Sequence, residues 1–229
     1  MELTAAHVLE TLPDHGEVGL IRFTNNPTIQ KQTIDMSLTE KLAIRGNGSE
    51  AEGPDIGFLR LASPQAATLN ATNVFFNLSK REEAVLGNKH PSSEYFEGVS
   101  GIVAEWTTDH PTGEAGFHYL RGFRGLFGVG YVARSRECDG YDLVDFETNQ
   151  GQNSKAPFNY QGTSGGALWR VYITADNNNS RPSVLDKRIF GVAFHQSDLV
   201  DGARTITCHG PKTVYGVLLQ TIRNKWPAA

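Results

Sequence analysis

The sequence predicts a strand-rich, all-β domain of sandwich or barrel type, and three observations carry that expectation. Short runs rich in Val, Ile, Phe, Tyr and Leu recur along the chain, from "VGLIRF" to "RIFGVAF". Clusters of Gly, Asn, Pro and Asp separate them, as in "RGNGSEAEGPD", "NQGQNSKAP" and "ADNNNSRP". Helical spacing of apolar residues is confined to two places. Many strands with few helices and regular turns suit a sandwich or a barrel. The 229 residues suffice to bury a real core in one such domain.

Taken in order, the first helical turn is expected in "AAHVLETL", residues 5–12. Strands follow at "VGLIRF", "DIGFLRLA", "TNVFFNL", "VSGIVAEW", "FGVGYVA", "YDLVDFE", "GALWRVYIT" and "RIFGVAF", each an apolar or alternating run between turn residues. The last element is a helix in "KTVYGVLLQTIRNKW", where Val214, Val217, Leu218, Ile222 and Trp226 form a stripe at helical spacing.

Charge excludes several function classes. The formal net charge is -4, and basic residues cluster only as pairs such as Lys80-Arg81 and Lys187-Arg188. No phosphate-tracking surface is expected, and hence no nucleic-acid partner. No apolar run approaches the roughly 18 residues of a membrane span, so no membrane partner is expected. The start, "MELTAAHVLETL", lacks a basic region ahead of an apolar core and does not read as a signal peptide. Cys138 and Cys208 are too few for a disulfide framework and are expected to be free thiols. These readings together predict a cytoplasmic setting. The seven histidines include no HxxxH pair, so neither a metal nor an organic cofactor is expected.

Three segments carry chemistry. In "LTAAHVL", Ala5 and Ala6 let the backbone pack closely while the His7 imidazole projects, although a plain polar cap is the alternative. In "GPDIGFLRLASP", Asp55 sits at the mouth of an apolar strand, where it is a solvated turn residue or a sheltered carboxylate. A sheltered carboxylate can hold an imidazole in one tautomer. In "QGTSGG", the glycines make either a tight turn or an oxyanion hole formed by the N–H groups of Gly162 and Ser164. Each signal is weak alone. The chain order His, Asp, Ser is what joins them.

The segments "LTAAHVL", "PDIGFLRL" and "GTSGGALW" closely resemble the three signatures of the trypsin/chymotrypsin-like serine proteases, in register along about the whole chain. The resemblance implies two antiparallel six-stranded β-barrels with the active site in the cleft between them. "TVYGVLLQTIRNKW" is similar to the family's closing C-terminal α-helix. The whole chain, 1–229, would be one peptidase domain, with an N-terminal barrel half at 1–100 and a C-terminal half at 101–229. His7 would be the general base, Asp55 its orienting acid and Ser164 the nucleophile of an endopeptidase acting on peptide or protein substrates.

Departures from the family refine this expectation. Val8 stands where digestive members have cysteine, and Thr163 replaces the aspartate used in zymogen activation. Both resemble the few-disulfide, bacterial-type branch. "IFGVAFHQ" resembles the strand beside the substrate, so Phe158, Tyr160, Phe194, His195 and Gln196 would line the substrate pocket. Phe158 is not an acid, which argues against cleavage after Arg or Lys. The pocket is then either apolar or one in which His195 hydrogen-bonds an acidic or amide side chain. Family members place further strands ahead of the histidine, whereas six residues precede His7 here, so the first barrel is expected to be incomplete. An open barrel would loosen the scaffold holding His7 against Asp55. A non-catalytic peptide- or protein-binding module on the same scaffold is therefore the alternative reading.

Overall fold

The computed structural model describes residues 2–20, 32–46, 49, 51–71, 74–90, 92, 94–112, 118–149, 156–174 and 182–227. Residues 21–23 of "VGLIRF" and parts of the three quoted turn segments lie outside the described residues. The chain opens with strand β1 (Glu2–Thr4) and helix α1 (Ala6–Thr11), followed by β2 (Glu17–Leu20), β3 (Gln32–Asp35), β4 (Glu40–Arg45) and β5 (Asp55–Arg60). Strand β5 is the centre of a three-stranded antiparallel sheet, with β1 on one side and β4 on the other. Strands β2 and β3 pair separately. Because β5 is covered on both faces, it reads as an almost continuous apolar run. Ile56 and Phe58 bury toward the C-terminal helix, while Leu59 packs with Leu9, Ile34 and Met36.

Two helices follow that the apolar runs did not announce, α2 (Ser63–Asn70) and α3 (Leu78–Leu86). The expected strand "TNVFFNL" is corrected here. Residues 74–77 are irregular, and Leu78 begins α3. Asn77 decides this locally, because its side chain accepts the Lys80 N–H at 3.0 Å and caps the helix. Val74 is left 99% exposed, which an alternating strand with one buried face would not do.

The rest of the chain supplies β6 (Tyr95–Ile102), β7 (Thr108–Thr112), β8 (His118–Gly122), β9 (Gly125–Cys138), β10 (Tyr141–Asn149), β11 (Ala167–Ile173), β12 (Val184–Gln196) and β13 (Ala203–His209). "VSGIVAEW" leaves the strand conformation early, ending in a short 3₁₀ turn at Ala104–Trp106. Strands β7 and β8 form a hairpin of their own. The other six make one antiparallel sheet in the order β10-β13-β12-β11-β6-β9, and β9 pairs back onto β10. Its interior holds Val99, Val144, Phe146, Leu168, Ala193 and Ile206. A division at 100/101 would cut β6, which pairs with β9 and β11. The six-stranded unit therefore begins at Tyr95, because ladder hydrogen bonds hold a strand to its neighbours.

The C-terminal helix forms where apolar spacing predicts one, but its first part, Lys212–Leu218, is a π-helix that continues as helix α4 (Leu219–Lys225). The Asp142 carboxylate caps its start, accepting the N–H groups of Lys212 and Thr213 and the Thr213 hydroxyl. Tyr215 and Leu219 join Val214, Leu218 and Ile222 in the buried stripe. The stripe packs on Ile56 and Phe58 of β5, tying the two halves of the chain together. Cys138 and Cys208 are both free, and burial pushes the Cys208 thiol well above its ordinary range. Among the described residues no helix is long and apolar enough to cross a membrane.

One buried ion pair pins the six-stranded sheet. Arg170 of β11 donates to Glu97 of β6 at 2.7 and 3.0 Å, with its guanidinium 3.6 Å from the Phe190 ring centroid. Glu97 also accepts the Val132 N–H from β9, so one carboxylate links three strands. Removing one member leaves the other charge buried and uncompensated, at a cost of about 3–5 kcal/mol. Glu97→Ala is thus expected to lower the unfolding free energy by that amount, read as a lower urea midpoint at an unchanged m-value. Adding Arg170→Met should recover most of the loss. A single variant as stable as the parent would contradict this account.

Candidate active site

The packing of α1 on β5 brings His7 to Asp55. Asp55, Gly57 and Leu59 share the face of β5 that meets α1. A Cβ on Gly57 would lie 2.5 Å from Leu9 and 3.2 Å from the Ala6 Cα, so the strand and helix approach closely. Ala6 is fully buried in this contact, and Ala5 is fully buried beside it against Leu143 and Phe194. Their small size lets the His7 ring reach the strand end. The Asp55 carboxylate then holds His7 at two points: Oδ1 accepts the His7 backbone N–H at 2.9 Å, and Oδ2 lies 2.6 Å from Nδ1. The Asp55 side chain is 13% exposed and that of His7 35%, so the acid is sheltered and the ring keeps an open edge. Asp55 thus stands at the mouth of β5 as a sheltered carboxylate in contact with the His7 ring.

Ser164 lies in a turn clamped to the six-stranded sheet. Gly165 N–H donates to the Ala193 carbonyl at 2.8 Å, and Ala193 N–H donates to the Gly166 carbonyl at 2.9 Å. Thr163, 4% exposed, turns inward and bonds the Tyr160 carbonyl through its hydroxyl at 2.7 Å. Gly162 and Gly165 take φ values of +93° and +84°. A side chain at Gly165 would in addition strike Thr4, since its Cβ would lie 2.1 Å from the Thr4 hydroxyl oxygen. The serine turn therefore packs against the residue three positions ahead of His7.

Hydrogen-bond accounting around this turn is selective. The N–H groups of Gln161, Thr163, Gly165 and Gly166 all have acceptors. Among the described residues, those of Gly162 and Ser164 have none. These are the two donors expected to bind an oxyanion. Two clefts adjoin them. One, of about 700 Å³, is lined by Thr4, Ser100, Ile102, Leu126 and Ser164, and the other, of about 460 Å³, by Ile102, Ala104, Arg121, Phe123 and Gly162. No hydrogen bond joins His7 to Ser164 in this structure.

The expected pocket residues separate. Phe158 is 70% exposed, and its N–H and that of Asn159 donate to the Glu105 carboxylate at 3.3 and 2.9 Å. Gln196 holds the same loop, accepting the Tyr160 N–H at 2.8 Å and donating to Asn159 at 2.6 Å. His195 is partly exposed at the end of β12. Tyr160 and Phe194, expected as pocket lining, are instead core residues. Tyr160 packs inside the six-stranded sheet, and Phe194 packs with Ala5 and Leu143 on its outer side. Ordinary alternation along β12 turns Ala193 inward and Phe194 outward, and Phe194 is buried because Ala5 and Leu143 cover that outer face.

His209 carried no signal in the sequence and lies within the site. Fully buried at the end of β13, it accepts the Asp55 N–H through Nε2 at 2.9 Å and stacks on Phe194 at 4.4 Å between ring centroids. Burial pulls its pKa from 6.5 down to about 4, against the opposing pull of the Asp55 and Asp142 carboxylates. Between those values the unfolded chain binds a proton that the folded ring refuses. Stability is then expected to fall as pH drops from about 6.5 to 4, by roughly 3 kcal/mol, and to level off below. Urea unfolding across that range checks this, with His209→Gln losing the His209 part of the slope. Equal slopes in both proteins would refute the assignment.

Comparison with protein-family models and with curated proteins finds no match for this chain. The reading of the site rests on its own residues.

Proposed function

We propose that this protein is a serine endopeptidase similar to the trypsin/chymotrypsin-like family, acting on peptide or protein substrates through an acyl-enzyme on Ser164. The observation that carries the proposal is the two-point hold of Asp55 on His7, through the backbone N–H and Nδ1 together. That hold fixes the ring and directs Nε2 away from Asp55. The six-stranded sheet supports reading the C-terminal half as the second barrel, with β1 to β5 belonging to the first. The two free thiols are in keeping with a cytoplasmic setting.

In this mechanism Ser164 Oγ attacks the scissile carbonyl carbon as His7 Nε2 takes the hydroxyl proton. The carbonyl oxygen becomes an oxyanion and accepts the two unclaimed N–H groups of Gly162 and Ser164. His7 then returns its proton to the leaving amine, and the C–N bond breaks. Water attacks the acyl-enzyme with His7 again as base, releasing the acid and restoring Ser164. Asp55 stabilises the imidazolium formed in both halves. Catalytic contacts often lengthen without substrate, so the missing His7–Ser164 bond is compatible with this chemistry.

That missing bond is also what favours the alternative, a peptide-binding module without turnover. The test is incubation of the protein with a fluorophosphonate probe, followed by peptide mass spectrometry. A phosphonyl adduct on Ser164 supports the protease. A folded protein that stays unlabelled yet binds peptides would favour the module.

A further inference from the structure

His209 is a polar ring where packing alone calls for an apolar one. Its neighbours are the Phe194 ring, the ladder partners Leu143 and Val192, the Gly53 backbone, and the Tyr141 ring at 6.5 Å. The charged groups facing it are the carboxylates of Asp55 on β5 and Asp142 on β10. With Nε2 accepting from Asp55, the ring proton sits on Nδ1, which is buried and has no partner. A buried donor without an acceptor is destabilising, so a leucine or phenylalanine would serve the core better. The ring's depressed pKa, driven by burial, keeps Nε2 free to accept at neutral pH.

The hydrogen bond joins two bodies. Asp55 belongs to the three-stranded sheet that holds His7, and His209 belongs to the six-stranded sheet that holds Ser164. The route between them is short. The serine turn bonds Ala193 of β12, the residue next to Val192, and Val192 pairs directly with His209. Among the described residues, the Asp55–His209 bond is the one hydrogen bond that joins the His7–Asp55 pair to that sheet. A Cβ on Gly53 would come 3.0 Å from the His209 ring, so the loop leading into Asp55 is seated on the same side chain.

We propose that His209 is a positioning residue: by accepting the Asp55 N–H, it sets the register of the His7–Asp55 pair against the sheet that carries Ser164. Its kinetic consequence rests on the protease reading above, whereas its structural consequence does not. Catalysis is sensitive to displacements on the order of 1 Å, so a slack Asp55 would cost turnover more than binding.

The test compares His209→Gln, which keeps an acceptor oxygen, with His209→Met, which has similar length and no such acceptor. The first readout is the low-field proton resonance of the His7 Nδ1–H···Asp55 bond, assigned by its loss in Asp55→Asn. The second is kcat and KM on a chromogenic ester. The Met variant is expected to shift the resonance upfield or lose it to solvent exchange, and to lower kcat by about 10- to 100-fold at unchanged KM. The Gln variant should restore both. Gln and Met variants that behave alike would overturn the proposal. A Met variant that cannot fold where the Gln variant can would assign the bond to stability and overturn it too. Should the parent protein lack esterase activity, the protease reading fails while the resonance comparison still decides the role of His209.

Discussion

Ser164→Ala is expected to abolish fluorophosphonate labelling and to lower kcat by about 10⁶, leaving a small residual rate from the oxyanion donors and substrate binding. The loss is chemical, not structural. The Ser164 hydroxyl makes no hydrogen bond among the described residues, and the turn is held by the backbone of Gly165 and Gly166 and by the Thr163 side chain. The stability of the variant should stay within about 0.5 kcal/mol of the parent by urea unfolding. Hydrolysis of a fluorescently labelled protein substrate reads the rate. Hydrolysis that persists in a folded Ser164→Ala protein would place the chemistry elsewhere or reveal a contaminant.

Asp55→Asn is the second large effect, expected to lower kcat by about 10⁴. The carboxylate accepts twice from His7, at the backbone N–H and at Nδ1. An asparagine can keep its oxygen on the backbone N–H, but its NH₂ then faces Nδ1. The ring responds by moving its proton to Nε2, where it can no longer take one from Ser164. The geometry survives and the tautomer is wrong. In the proposed mechanism Asp55 acts through His7 on Ser164, so Asp55→Asn combined with Ser164→Ala should be no slower than Ser164→Ala alone. Additive losses would show that Asp55 works by another route.

Local chemistry made part of this protein legible in one dimension. The strands at Asp55–Arg60, Gly125–Cys138 and Ala167–Ile173 follow from runs of β-branched and aromatic residues between turn formers. The C-terminal helix follows from apolar spacing. The His7, Asp55 and Ser164 segments are recognisable because each needs particular small neighbours: alanines beside His7, glycines beside Ser164 and a turn before Asp55. Helix α3 is hidden in the sequence for a local reason as well. "NVFFNL" has the composition of a strand, and one side-chain cap from Asn77 outweighs it.

What the sequence by itself determined, then, is the strand-rich character and the closing helix, since these depend on residues a few positions apart. Only the tertiary structure decided that Tyr160 and Phe194 belong to the core. Strand alternation says that faces differ, not which face meets a neighbour, and the outer face bearing Phe194 is covered by Ala5 from the other end of the chain. Only the tertiary structure, too, brought His209 to Asp55 across 154 residues of chain. A hydrogen bond between a ring nitrogen and a distant backbone N–H leaves no periodic trace, because it depends on how two sheets dock and not on how either one is patterned.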